Sequence, residues 1–296
     1  MTFGRRRIDL TFTLSKTTDG SRPTFNGDAS IVKVSGLRVK ASIANAGAPS
    51  MGVAQVRIYG LTLQMMSQLA QVMPRTTGGA VDVRFNSLQI DAGDTDPLTT
   101  IFQGQIIQAP VDMNNVPDSC LVVIAQAGAY EAVAPAAPIS YTGTADSVRM
   151  LKTLAANANL LFENGANISV QLSRQYLSGS PREQMLKVAA AANINLTIEN
   201  GVVVIWPKGG VRPGALPVIS PSTTLVGYPA NFGVGVEIKT LFMPQVKIGQ
   251  AFTVESSLPF ANGDWIAYDI GHSLESETPN GEWFSKFHGS PFNAPA

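Results

Sequence analysis

The side chains best suited to chemistry are few and scattered. His272 and His288 are the only histidines, and Cys120 is the only cysteine. Both histidines fall at strand-like positions near the C-terminus. No Gly-x-Ser-x-Gly, His-Glu-x-x-His or Cys-His arrangement surrounds them to supply a nucleophile, a base or a zinc ligand set. They read as hydrogen-bonded strand or interface histidines. Asp91, Asp94 and Asp96 invite a calcium reading, but their loop lacks the glycine and closing glutamate that a calcium motif places, which leaves a polar hairpin loop. Gly227, Gly233 and Gly235 could let a backbone approach a phosphate, yet no strand-to-helix transition follows and Lys239 sits inside a strand pattern. Asp264 with Glu275, or Glu237 with Glu255, could be paired as glycosidase carboxylates, but strand spacing alone orients neither pair. Arg5, Arg6 and Arg7 form a short basic cluster that reads as a solvated or rim position. No catalytic residue, metal or cofactor is expected.

What remains is interaction chemistry. Trp265, Tyr268, Trp283, Phe284 and Phe287 gather near the C-terminus, and large aromatics in a neutral chain fill a core or anchor an interface. Phe242, Trp265, Tyr268 and Trp283 are the candidate anchors.

These residues ride on short strands. Ile8, Leu10, Phe12 and Leu14 alternate with Asp9, Thr11 and Thr13, the period-two pattern of a strand with one wet face. Similar segments follow at 31–39, 53–59, 81–90, 101–107 and 120–125, separated by turn-forming residues, which implies a sandwich or barrel. One helix is carried within them, from Leu61 to Val72, stopping at Pro74. From about Thr142 helices enter. Asp146 precedes one amphipathic helix, and Ser180, Pro181 and Glu183 form a capping box before a second.

These helices open an internal repeat, AANANLLFENG at 155–165 and AANINLTIENG at 191–201. Each copy reads as a helix, a strand, an Asn-Gly turn and a return strand, through Ile168 and Val170 in the first and Val202 and Val204 in the second. The Gly- and Pro-rich stretch 207–221 reads as a linker. Strand texture then returns at 234–242, 251–256, 265–272 and 283–287.

Lysine and arginine total 21, aspartate and glutamate also 21, and charged residues make up only 14% of the 296. A neutral chain lacks the field that a nucleic-acid backbone requires of its main partner, and its sparse surface charge suits a subunit buried in a protein assembly. Cys120 stands alone beside Leu121 to Ile124 and reads as a buried thiol. No signal peptide or membrane-spanning apolar run is read, so the chain is expected to fold in a reducing cytoplasm.

Four segments carry a resemblance. VRIYGLTLQMMSQL (56–69), IFQGQIIQA (101–109), LVGYPANFGVGVEIKTLFMPQVKIGQAFTVES (225–256) and WIAYDIGHSLESETPNGEWFSKFHG (265–289) resemble, in this order along the chain, segments of baseplate hub proteins from contractile-tailed bacteriophages. The resemblance implies a mainly β chain with an α+β insertion. Two tail-tube-like β-barrel domains, 1–141 and 208–296, would flank a small duplicated helix-hairpin α/β domain at 142–207. It also implies a homotrimeric ring that adapts a sixfold tail tube to a threefold spike. The implied partners are the tail tube or tube-initiator protein, the central spike protein, baseplate wedge proteins and the tape-measure protein in the lumen. DNA would be met only in transit, with no membrane insertion. The implied location is the virion's tail baseplate, after assembly in the host bacterial cytoplasm. Alternatives are the hub of a siphophage tail or of a bacterial contractile injection system, or a cell-wall-degrading tail enzyme. No lysozyme or peptidase region is recognisable.

Overall fold

The computed structural model describes residues 5–15, 24–25, 29–70, 75–77, 80–82, 86–114, 117–233 and 235–291. The chain is mainly β. Its α-helices among the described residues are Leu63–Ala70, Ala129–Val133, Ser147–Asn157 and Pro181–Ala191. Val72 and Pro74, expected to end the first helix, lie outside the described residues, as do 83–85 of the expected strand 81–90. Two compact units divide the chain.

The first unit gathers Met1–Ile43, Gly52–Ala129 and His272–Trp283. Strands Ile31–Val34, Arg7–Thr13, Ser87–Gly93, Thr99–Gln108, Cys120–Gln126 and Gly52–Tyr59 are hydrogen-bonded neighbours in that order, all antiparallel. The register sets Leu10 opposite Ile90 and Val123 opposite Val56, all fully buried. The strand expected at 31–39 is two strands, because Gly36 takes a left-handed turn (φ 69°) before Val39–Ala46 begins. Asp9 is also not on a wet face. It is 2% exposed, with Lys33 at 2.9 Å and Arg7 at 3.5 Å from its two oxygens. Cys120 is buried, as its neighbours imply, and burial pushes its thiol pKa up.

The second unit gathers Ala44–Met51, Tyr130–Gly271 and Phe284–Ala296. It holds two hydrophobic clusters that share one strand, Val202–Pro207. Val203 and Ile205 pack into the cluster containing both longer helices, through Met150, Leu151, Met185 and Val188. Val204 and Trp206 pack into the other, with Ile219, Phe252 and Phe287. A run of five apolar residues is what a strand buried on both faces requires.

The helices start as their caps dictate. Asp146 accepts from the Val148 and Arg149 N–H groups, and Ser180 and Glu183 satisfy each other's backbone in a reciprocal box. The second copy of the repeat closes as expected. Ile194–Glu199 and Val202–Pro207 form an antiparallel hairpin with Asn200 and Gly201 both left-handed (φ 49° and 77°).

The first copy does not. Leu161–Glu163 pairs parallel with Val202–Pro207, while the chain beyond it forms Gln171–Leu177, antiparallel to Ile139–Asp146. The cause is the turn. The Asn164 side chain accepts from the Ile168 N–H (3.0 Å) and donates to the Ile168 carbonyl (2.9 Å), which closes a wider loop than a hairpin allows.

The stretch expected to be a linker is packed. Arg212 is 8% exposed, 2.8 Å from Glu199 and 3.5 Å from Glu163, and Val218–Ile219 is a strand parallel to Ala251–Val254. Beyond it, Ala230–Phe232, Gly235–Leu241, Trp283–Pro291, Gly263–Ser276 and Ala251–Val254 are neighbours in that order.

Candidate interaction surface

The structure takes Asp264 and Glu275 into separate structural contacts. Asp264 accepts from Thr253 (2.6 Å), and Glu275 pairs with Lys40 (2.7 Å), whose own pKa is raised chiefly by that bond. Asp91 accepts from Gln89 and Thr100, whereas Asp96 takes Arg7 at 2.6 Å. Among the described residues no three His, Cys, Asp or Glu side chains are placed to hold a metal ion. Gly227 and Gly233 adopt left-handed turns (φ 74° and 59°) on either side of Ala230–Phe232. Gly235 lies where a Cβ would run into the Gly289 carbonyl, so its role is strand packing. Arg5 pairs with Glu277, and Arg6 donates to the Gly281 carbonyl while lying over the Trp283 ring. The basic cluster is thus tied into its own unit.

The candidate anchors divide by burial. Trp283 is 6% exposed. Trp265 is partly buried against the second cluster, and its indole N–H donates to the Ala261 carbonyl at 2.8 Å. Phe242 is half-buried, and Tyr268 is exposed. His272 is buried within strand Gly263–Ser276.

His288 is the centre of a surface. Strands Gly235–Leu241 and Trp283–Pro291 pair Glu237 with His288, Lys239 with Lys286 and Leu241 with Phe284. The intervening Val236, Ile238, Ser285 and Phe287 are buried, so these three pairs make the outer face. The His288 ring lies between two carboxylates, Nδ1 at 2.8 Å from Asp269 and Nε2 at 2.9 Å from Glu237. Both nitrogens are engaged, which leaves neither for a metal or a substrate. Phe232 stacks on the ring at 4.3 Å and Tyr268 at 6.0 Å. Lys286 joins Glu237 at 2.8 Å, and together with His288 it holds that carboxyl pKa below the usual range. Burial, with Asp269 and Glu237 nearby, raises the Tyr268 phenol. Lys239 lies 4.0 Å from the Phe284 ring centre. Exposed Phe232, Leu241 and Tyr268 among paired charges suit protein contact better than catalysis.

Sequence reasoning singled out His288 and Glu237 but not their meeting, nor Asp269 or Phe232. It also missed Arg212, beside which Lys247 is a partly buried amine whose pKa burial lowers.

A protein-family model described as baseplate hub gp41 matches residues 10–282. The chain belongs to the baseplate hub gp41 family. No curated protein matches it. Among solved structures it is similar to a tail protein from Neisseria meningitidis MC58, with TM-score 0.64 and 7% identity over 97% of each chain. It is also similar to the prophage MuSo2 43 kDa tail protein from Shewanella oneidensis, with TM-score 0.60 and 10% identity over 97% of each chain. A third similar structure is the E. coli c3393 protein, described as a type VI secretion component resembling T4 gp27 and gp5. Its TM-score is 0.56 at 10% identity, covering 88% of this chain and 76% of that one. At such identities the likeness is one of fold.

Proposed function

We propose that the chain is a non-enzymatic structural hub. Three copies form a ring that joins a sixfold tail tube above to a threefold spike below, around a channel passed by the tape-measure protein and then DNA. In this reading residues 1–141 and 208–296 are two tube-like domains, and 142–207 is the α/β domain between them. Two similar domains in each of three chains offer six near-equivalent positions to a sixfold partner. The further partners are a tube-initiator protein and baseplate wedge proteins, with assembly in the host cytoplasm before incorporation into the virion.

The family match across residues 10–282 is the observation that carries this reading. The zero net charge and the exposed aromatic face support burial in an assembly, and a neutral lumen would let DNA pass without sticking. The test is solution mass by light scattering at several concentrations, followed by imaging. A species near three times 31.3 kDa with a central hole is expected. A strict monomer, both alone and with tube and spike proteins added, would overturn the ring.

The hub of a contractile injection system is the second reading, favoured by the likeness to the type VI secretion component. The genes flanking this one distinguish the two.

A further inference from the structure

The second unit contains a cleft of about 460 Å³ to which none of the contacts above assigns a role. Its floor is apolar. Ala189, Ile194, Leu196 and Trp206 are each at most 8% exposed, and Leu186 adds a partly buried flank. One wall is the segment Gly47–Pro49, held in place because the Ala48 N–H donates to the Leu196 carbonyl at 3.2 Å. At the rim, Lys208 sits in the turn Pro207–Gly210, closed by the Gly210 N–H to the Pro207 carbonyl (3.0 Å). The Asn195 amide also donates to that carbonyl (3.3 Å), tying the turn to the cleft wall. Among the described residues Lys208 is the only charged one lining the cleft, and none of them forms an ion pair with it.

The volume is that of a ligand site, but the polar side chains lining it are limited to Asn193, Asn195 and Lys208, with Asn195 already tied to the Pro207 carbonyl. An apolar floor with one unpaired cation at its mouth is complementary to an apolar group carrying a neighbouring anion. We propose that this cleft docks a segment of a partner protein that presents a bulky apolar side chain beside a carboxylate. The side chain fills the space over Ile194, Leu196 and Trp206, and the carboxylate meets Lys208. Every residue the site uses lies in one unit of one chain.

The test titrates the full chain with the peptides acetyl-Gly-Phe-Glu-Gly-amide and acetyl-Gly-Phe-Lys-Gly-amide, following backbone amide shifts by NMR. The glutamate peptide is expected to shift amides within 186–196 saturably and several-fold more tightly than the lysine peptide. Lys208→Glu, in an exposed turn, should reverse that preference without changing the melting temperature. Ala190→Trp, at an exposed helix position on the cleft, should abolish both titrations. The proposal is overturned if neither peptide shifts these amides, if Lys208→Glu leaves the preference intact, or if Ala190→Trp leaves binding unchanged. Anilinonaphthalene sulfonate binding there while both peptides fail would mark a site for small amphiphiles and overturn the protein partner.

Discussion

Gly249 passes edge-on against the Trp206 indole, so close that a Cβ there would lie 2.6 Å from the ring carbon Cε2. Its φ is 82°, and its N–H donates to the Ala267 carbonyl at 2.7 Å. The tryptophan is 5% exposed on the strand that both clusters of the second unit share, which restrains its movement. Gly249→Ala is therefore expected to lose about 2–3 kcal/mol, from left-handed strain together with overpacking. Urea unfolding of the two proteins measures it, and a loss below about 0.5 kcal/mol would mean that the ring has room to shift.

Arg212 divides its ion pairs unequally. Glu199 is 2.8 Å away with its side chain 18% exposed, whereas Glu163 is 3.5 Å away and 49% exposed. Removing the closer acid leaves a buried guanidinium with only a loose, solvated partner. Glu199→Gln should cost about 2–3 kcal/mol and Glu163→Gln less than about 1 kcal/mol. Equal losses in a denaturation series would show that solvent already screens both pairs.

Local signals account for what could be read in advance. The caps at Asp146 and Ser180, the Asn200-Gly201 hairpin and its return strand through Val202 and Val204 all follow from a few consecutive residues. The four segments resembling hub proteins likewise pointed to the family. The misreadings share another physics. Asn164-Gly165 repeats the letters of Asn200-Gly201, but its side chain found Ile168, and the neighbouring strand position was filled by a parallel pairing. Arg212 looked like linker because its partners lie 13 and 49 residues earlier. The His288 clamp depends on the register of strands whose contributing residues lie 19 and 51 positions away, which no local pattern encodes.

Acid should weaken the second unit through Asp146. The Ser169 hydroxyl at 2.5 Å, followed by the Val148 and Arg149 N–H groups, holds this carboxyl pKa below its ordinary value, although burial pushes the other way. The folded chain therefore releases this proton more readily than the unfolded one. The resulting stability is complete above the ordinary carboxylate range and is lost as pH falls through the folded value. Glu237, lowered by Lys286 and His288, acts in the same direction. Asp146→Asn keeps an N-cap and should flatten the decline between neutral pH and about pH 3, while Asp146→Ala should cost about 1 kcal/mol at pH 7. An unaltered acid profile in the asparagine variant would remove Asp146 from the cause.

Cutting the chain near Gly210 should not yield two independent pieces. The strand ending at Pro207 sends Val204 and Trp206 into the cluster built by Ile219, Phe252 and Phe287, all beyond the cut. Arg212, also beyond it, pairs with Glu199 before it. Residues His272–Trp283 belong to the unit otherwise formed by the first part of the chain. Each fragment alone would therefore expose a core face, at roughly 25 cal/mol per Å² of apolar surface returned to water. Limited proteolysis at the Lys208–Gly210 turn should give two fragments that co-elute on gel filtration and separate only in denaturant. Expressed separately, both should be insoluble or unfolded by circular dichroism. A soluble, cooperatively melting fragment 211–296 would show that the C-terminal cluster needs neither Val204 nor Trp206, and that the shared strand is not what joins the two cores.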